Sequence, residues 1–166
     1  DRVYVTDTGR FLYGAWPIIT VRNPRDYVDT IGFAAIGLGV GTAIGAAKAG
    51  GGRPTLLVTG DGGLMLSGMS ELATAVHEQL DLVVVVCNDR SYGAEYVQFA
   101  AKDMDPAISF NHWPDFAPVA SALGLQAMTV TSRDELQAAM AAIAGRDRKR
   151  PMLIDVKLDA ASMRRP

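Results

Sequence analysis

The chain has 166 residues, 49% of them hydrophobic, which is the size and composition of one folded domain rather than of a disordered or fibrous protein. A formal net charge of −2 argues against unspecific binding to nucleic acid or to anionic membranes. The single cysteine, Cys87, excludes an internal disulfide and a cysteine-rich zinc site. The first residues show no charged segment followed by an apolar one, as a secretory signal would, and no apolar stretch is long enough to span a membrane, so we expect a cytoplasmic protein.

Short, β-branched apolar segments alternate with helical patterns along the chain. The predicted strands are residues 3–6, 55–59, 82–87, 127–130 and 152–156. This alternation is typical of a three-layer α/β/α fold with a mostly parallel sheet. Four consecutive valines, residues 83–86, predict a central strand that is buried on both faces.

Three helices are predicted between and after these strands. Apolar residues at helical spacing predict the first over residues 69–80. Asp115 is expected to cap a second helix that ends at Gly124, and Ser132 with Glu135 is typical of a capping box at the start of a third. Residues 32–52 are dominated by glycine and alanine and predict a segment that packs closely, either as a buried helix or against a ligand.

The motif Gly60-Asp61-Gly62-Gly63 follows a predicted strand directly. It lies at the carboxyl end of that strand, where open α/β sheets bind ligands. The backbone N–H groups of Gly62, Gly63 and Leu64 can face an anion, and Asp61 supplies a hard oxygen ligand. The motif therefore suits a metal-bound phosphate, although an ordinary turn uses the same residue types.

A second polar group follows the valine strand, where Asn88 lies 27 positions beyond Asp61. A strand-helix-strand unit of this length returns the chain to the same edge of the sheet. We therefore expect the oxygens of Asp61 and Asn88 to face one cation, with Mg²⁺ the best match because it keeps phosphate and water in its shell.

Gly-Asp-Gly, a helix, an apolar strand and then Asn together resemble the cofactor motif of thiamine diphosphate enzymes. Nearly the whole chain is similar to the C-terminal, diphosphate-binding domain of the acetolactate synthase and pyruvate decarboxylase superfamily, and most to its acetolactate synthase-like branch. The similarity also includes Thr6-Asp7-Thr8-Gly9, the Gly/Ala segment, Tyr92-Gly93 and the last strand.

The resemblance implies the ligands of Mg²⁺ and of the diphosphate. Asp61, Asn88 and the carbonyl of Arg90 would bind the metal. Arg10 is not the usual residue at its position, so its guanidinium either pairs with phosphate or is solvated. The residues implied to contact the cofactor around the diphosphate are Thr8, Gly9, Arg10, Gly60, Gly62, Gly63, Leu64, Tyr92 and Gly93.

Two further positions are implied to act on the aminopyrimidine part of the cofactor. Ile36 matches the bulky apolar residue that bends the cofactor in the family, whereas an ordinary core isoleucine is the alternative. The carbonyl of Ala34 would accept a hydrogen bond from the aminopyrimidine, at a position where glycine is commoner.

The implied function is that of an enzyme acting on a 2-oxo acid, by decarboxylation or carboligation. In the family the glutamate that activates the cofactor belongs to an N-terminal pyrimidine-binding domain of the same or another subunit. Residues 1–166 are therefore expected to be a single domain of a longer chain, with no catalytic residue beyond the cofactor-bending Ile36 and no activity alone. The intact protein is expected to be a homodimer or homotetramer.

Two alternatives come from other functional classes. A nucleotide- or flavin-binding α/β module uses similar glycines at strand ends for phosphate, and copurified flavin would favour it. A noncatalytic, regulatory subunit is the other, and the presence of both Asp61 and Asn88 argues against it.

Overall fold

A computed structural model describes residues 2–161, except the side chain of Ser67, and contains a six-stranded sheet. All neighbouring strands are parallel, in the order β2-β1-β3-β4-β6-β5, so the predicted α/β class is confirmed. The strands are β1 (Val3–Thr6), β2 (Tyr27–Asp29), β3 (Thr55–Gly60), β4 (Leu82–Asn88), β5 (Gln126–Val130) and β6 (Met152–Lys157).

Seven α-helical segments connect the strands in the described part of the chain. They are α1 (Leu12–Ala15), α2 (Gly39–Ala49), α3 (Asp61–Gly63), α4 (Glu71–His77), α5 (Gly93–Ala101), α6 (Phe116–Ala122) and α7 (Arg133–Gly145). A π-helical segment, Leu64–Gly68, follows α3 and leads to α4. Ile31–Phe33 is a short 3-10 helix. Among residues 2–161, no helix has the length and apolar character needed to cross a membrane.

The five predicted strands are all present, and each differs from its prediction by one residue at most. The strand that sequence reasoning missed is β2, which has three residues and lies at the edge of the sheet beside β1. A half-exposed strand of this length gives no apolar run to detect.

Two layers of helices cover the sheet. On one face, α2, α4 and α6 contribute Val40, Leu72 and Phe116 to a core built on fully buried strand residues such as Leu57 and Val84. On the other face, the α7 residues Ala139, Ala142 and Ile143 pack on Val83 and Ile154. Burial of these side chains supplies most of the stabilisation of such a domain.

One half of the predicted capping box is confirmed, because the Ser132 hydroxyl accepts a hydrogen bond from the N–H of Glu135 over 3.2 Å. The Glu135 carboxylate accepts from the N–H (2.6 Å) and the hydroxyl (2.7 Å) of Thr131, the residue before the cap. The predicted cap by Asp115 is wrong in its chemistry. Helix α6 begins directly after Asp115, but the Asp115 side chain makes no capping hydrogen bond and instead forms an ion pair with Lys157. The first N–H of the helix, at Phe116, donates to the buried carboxylate of Asp155 over 3.1 Å.

The Gly/Ala segment is an α-helix only from Gly39 to Ala49. Its first residues belong to the 3-10 helix Ile31–Phe33, and a loop joins that helix to α2. Close packing is required at the start of α2, since a Cβ at Gly39 would lie 2.7 Å from Cβ of Asp7. The small residues therefore let α2 approach the end of β1.

Candidate functional site

A cavity of about 290 Å³ lies at the carboxyl ends of β1, β3 and β4. Parallel sheets of this kind bind ligands at this edge, and most of the sequence-predicted cofactor residues line the cavity. Those lining residues are Thr8, Gly9, Arg10, Ala34, Ile36, Gly60, Asp61, Gly62, Gly63, Tyr92 and Gly93. Three predicted residues, Leu64, Asn88 and Arg90, are not among those that line the cavity, whereas Cys87, Asp89 and Ser91 are.

Two buried carboxylates face this cavity, those of Asp61 and Asp89. Asp61 is 2% exposed and Asp89 is 8% exposed. Burial, and then the negative charge of Asp89, raise the pKa of Asp61 from 3.8 to about 7. Burial also raises the pKa of Asp89. Burial and mutual repulsion disfavour the charged forms of these two carboxyl groups. A divalent cation would offset that cost, and carboxylate oxygens are ligands to which it would bind.

Asn88 does not line the cavity with Asp61, contrary to the prediction. Its Nδ2 donates to Oδ1 of Asp155 over 2.8 Å, inside the core and beside β6. Strand β4 extends to Asn88, one residue beyond the predicted end, so Asn88 shares the orientation of the buried Val84 and Val86. The next residue, Asp89, is the one that reaches the cavity.

The carbonyl of Arg90 is also engaged elsewhere, since it accepts a hydrogen bond from the N–H of Asn111 over 2.8 Å. Within the same turn, the N–H and hydroxyl of Ser91 both donate to Oδ1 of Asp89, over 3.0 and 2.8 Å. These two bonds fix the carboxylate of Asp89 and leave Oδ2 as its less occupied oxygen.

The glycine turn after β3 leads directly into a helix. Gly60 is extended, with φ −88° and ψ 162°, and precedes the first helical residue, Asp61. Gly60, at the cap position, has no side chain with which to cap this helical start. Hydrogen bonds from the N–H groups of Asp61 and Gly62 instead act on the Asp61 carboxylate and lower its pKa, against the larger effect of burial. Side chains are excluded from the turn, because a Cβ at Gly62 would lie 2.7 Å from Tyr92 and one at Gly63 would lie 2.5 Å from Asp7.

Asp7 holds the loop that carries Ala34 and Ile36. Its carboxylate accepts hydrogen bonds from the N–H of Gly37 (3.0 Å) and from the hydroxyls of Thr30 (3.0 Å) and Thr59 (3.1 Å). Ala34 has a left-handed backbone with φ 54°, which is a conformation where glycine has no penalty. The loop thus places half-buried Ile36 at the cavity, next to the glycine turn, where its Cδ1 would lie 3.9 Å from a Cβ of Gly62.

Arg10 is buried rather than solvated, with 7% of its surface exposed. Its Nη1 donates to the carbonyl of Ala160 over 2.9 Å, and its guanidinium lies 5.8 Å from the centre of the Tyr96 ring. The Arg10 stem and Asp89 Oδ2 both flank Gly93, where a Cβ would lie 3.1 Å from Cδ and 3.3 Å from Oδ2. Arg10 thus brings a positive charge to Asp89, which lowers the pKa of that carboxyl against the larger effect of burial, and also binds the carbonyl of Ala160.

Two residues of the site gave little or no local signal in the sequence. Trp113 donates its indole N–H to Oδ2 of Asp61 over 2.8 Å, across 52 positions of sequence. Cys87 lines the cavity, and burial followed by the charges of Asp89 and Asp61 raises its pKa to about 12. The thiol is therefore protonated and is not a nucleophile at neutral pH.

Residues 7–156 match the sequence profile described as "Thiamine pyrophosphate enzyme, C-terminal TPP binding domain", thiamine pyrophosphate being thiamine diphosphate. The chain is 27% identical over 161 residues to acetolactate synthase isozyme 2 large subunit of Escherichia coli K12, with 96% of this chain and 29% of that protein covered. It is 32% identical over 139 residues to the probable 2-ketoarginine decarboxylase AruI of Pseudomonas aeruginosa, covering 82% of this chain and 24% of that protein.

Among solved structures, the fold is similar to the thiamine diphosphate-dependent 4-hydroxybenzoylformate decarboxylase of Rhodococcus jostii RHA1. The TM-score is 0.82 at 21% identity, and the match covers 96% of this chain and 30% of that one. The chain thus spans less than a third of the length of each of these three proteins.

Proposed function

Because the chain belongs to the thiamine pyrophosphate enzyme family, as its C-terminal TPP-binding domain, we propose that it holds the cofactor's diphosphate through Mg²⁺ bound by Asp61 and Asp89. The observation that carries this proposal is the pair of buried carboxylates, Asp61 in the glycine turn and Asp89 in the turn after β4. Our sequence prediction of Asn88 and the Arg90 carbonyl as ligands is replaced here by Asp89, because both predicted groups have partners outside the cavity.

The residues around this pair suit a metal-bound diphosphate. Asp61 and Asp89 offer the hard oxygen ligands that Mg²⁺ prefers. The N–H groups at the helical start, at Gly62 and Gly63, are proposed to donate to phosphate oxygens. Gly60 and Gly9 line the same cavity, and their lack of side chains leaves room for the ligand.

The remaining cavity residues are assigned by position. Thr8, Gly9 and Arg10 lie at the end of β1, across the cavity from the glycine turn, and are proposed to contact the diphosphate from that side. Ile36 is proposed to support the bent form of the cofactor, and the carbonyl of Ala34 to accept from its aminopyrimidine. When bound, the thiazolium ring supplies a nucleophilic carbon that adds to a carbonyl and takes up the electrons released by decarboxylation.

For the whole protein, we propose an enzyme that acts on a 2-oxo acid, as an acetolactate synthase-like carboligase or as a decarboxylase. The names of the relatives support this substrate class, since they include an acetolactate synthase and a 2-ketoarginine decarboxylase. The activating glutamate is proposed to lie on a pyrimidine-binding domain in a homodimer or homotetramer. The 166 residues alone are therefore expected to be inactive, and a cytoplasmic location stays a prediction.

Titration calorimetry on the full-length protein tests the cation dependence. Thiamine diphosphate should bind in the presence of Mg²⁺ and lose about a hundredfold in affinity when the cation is chelated, because two carboxylates would otherwise repel the diphosphate. Asp61→Ala and Asp89→Ala should abolish the effect of Mg²⁺. Asp134→Ala, which removes an exposed carboxylate from α7, is the matched control and should bind as the wild type does.

Equal affinity with and without Mg²⁺ would contradict the assignment of the two carboxylates. Cation-independent binding of a flavin or a nucleotide in the same cavity would instead favour the alternative of a nucleotide-binding module.

A further inference from the structure

The indole ring of Trp113 contacts the carboxylate that the proposed function assigns to the cation. Its Nε1–H donates to Oδ2 of Asp61 over 2.8 Å. Because Asp61 is almost completely buried, this charge-assisted hydrogen bond is poorly screened by solvent. One of the two carboxylate oxygens is therefore held in a fixed direction.

The ring of Trp113 is itself held by Tyr92. The two rings meet edge to face, with centroids 6.4 Å apart and planes at 81°. Tyr92 in turn lies over Gly62, where a Cβ would come within 2.7 Å of its ring. The indole, the tyrosine ring and the glycine turn thus form one packed group beside Asp61.

The backbone that carries Trp113 is fixed to the turn after β4. The N–H of Tyr92 donates to the carbonyl of Ser109 over 2.9 Å. The N–H of Asn111 donates to the carbonyl of Arg90 over 2.8 Å. These bonds join the segment before Trp113 to the same turn that supplies Asp89, so the indole donor is positioned by the residues that build the site.

We propose that Trp113 is a positioning residue of the cation site. By binding Oδ2 of Asp61, it sets the orientation of the carboxylate and leaves Oδ1 for the cation. An indole N–H suits this role because it donates only and cannot itself bind the metal. The inference rests on the proposed function, since it takes Asp61 to be a cation ligand.

The test uses the full-length protein with thiamine diphosphate and Mn²⁺, a divalent probe that electron paramagnetic resonance detects directly. Trp113→Phe keeps an aromatic ring beside Tyr92 and removes the N–H donor. We expect the Mn²⁺ affinity to fall about tenfold, the loss typical of a hydrogen bond to a charged group. At saturating Mn²⁺ the resonance line shape of the bound ion should also change, because the released carboxylate can bind through either oxygen.

Trp16→Phe is the matched control. Trp16 also donates its indole N–H, to the Tyr27 hydroxyl over 2.8 Å, but neither Trp16 nor Tyr27 lines the cavity that holds the carboxylate pair. The control should keep the wild-type affinity and line shape. A loss of folded protein alone would lower the amount of bound Mn²⁺ without changing the line shape, so the spectrum separates positioning from a general structural effect.

Unchanged Mn²⁺ affinity and line shape in Trp113→Phe, in a protein whose Asp61→Ala variant has lost Mn²⁺, would overturn the role of Trp113 and leave the proposed function intact. Absence of Mn²⁺ binding in the wild type would overturn both. If the Phe variant does not fold, Trp113→Met makes the same comparison, because its flexible side chain fills irregular space.

Discussion

The amide of Asn88 donates a hydrogen bond of 2.8 Å to the carboxylate of Asp155, and both side chains are completely or almost completely buried. The other Asp155 oxygen accepts from the N–H of Phe116 and from the Lys157 ammonium group. The Asn88 Oδ1 accepts from the N–H of Arg90. This pair therefore joins the end of β4, the start of α6 and the turn that presents Asp89 to the cavity.

Exchanging the two side chains tests this pair. Asn88→Asp alone places two carboxylates in contact. Asp155→Asn alone turns an amide NH2 group towards either the Asn88 amide or the donors of Phe116 and Lys157. Each variant should therefore cost about 2 kcal/mol or more of local stability at pH 8. The double variant restores one donor and one acceptor and should recover most of the loss. Hydrogen exchange of the β4 and β6 amides in the full-length protein measures this, and additive losses in the double variant would contradict it.

The raised pKa of Asp61 predicts a pH-dependent cost in the cation-free protein. Because the folded-state pKa is about 7 rather than 3.8, folding loses stability as the pH rises between these values. Asp61→Asn removes this group and should stabilise the chelated protein by about 1 kcal/mol or more at pH 8, and by less at pH 5. Thermal unfolding at both pH values checks this, and an equal difference at pH 5 and pH 8 would contradict it.

Truncation of Ile36 should affect reactivity more than binding. Ile36→Ala leaves the two carboxylates and the glycine turn intact, so cofactor affinity should change little, whereas the exchange rate of the thiazolium proton should fall about tenfold or more. Proton exchange followed by nuclear magnetic resonance on the folded, cofactor-loaded protein measures this rate. If exchange proceeds at the wild-type rate, Ile36 is an ordinary packing residue.

Two glycines of α2 should respond in opposite ways to alanine. Gly39→Ala places a Cβ 2.7 Å from that of Asp7 and should destabilise the domain by about 1 to 3 kcal/mol. Gly45→Ala meets nothing within 4 Å and should stabilise the helix by about 0.5 to 1 kcal/mol. Thermal unfolding compares them, and destabilisation by both would mean that a further part of the protein covers α2.

The fold could be predicted because buried parallel strands are uninterrupted apolar runs, which the chain shows at five places. The site was predicted less well for a local reason. Strand β4 ends one residue later than expected, at Asn88, and alternation along a strand then assigns Asn88 to the core and Asp89 to the cavity. The contact of Trp113 with Asp61 depends on how two segments that are distant in the sequence pack together, and residue spacing does not predict such a contact.

The valine run of β4 pairs residue by residue with β3 on one side and β6 on the other. Four identical side chains would pack on their neighbours almost equally well if the register of the strand shifted by one residue. The valines therefore stabilise the sheet by their burial but do little to fix its register. A slide of one position would turn Asp89 towards Asp155 and Asn88 towards the cavity. The polar residues at the end of β4 therefore help to fix the register of the strand. Which side chains line the cavity depends on that register as well as on the sequence.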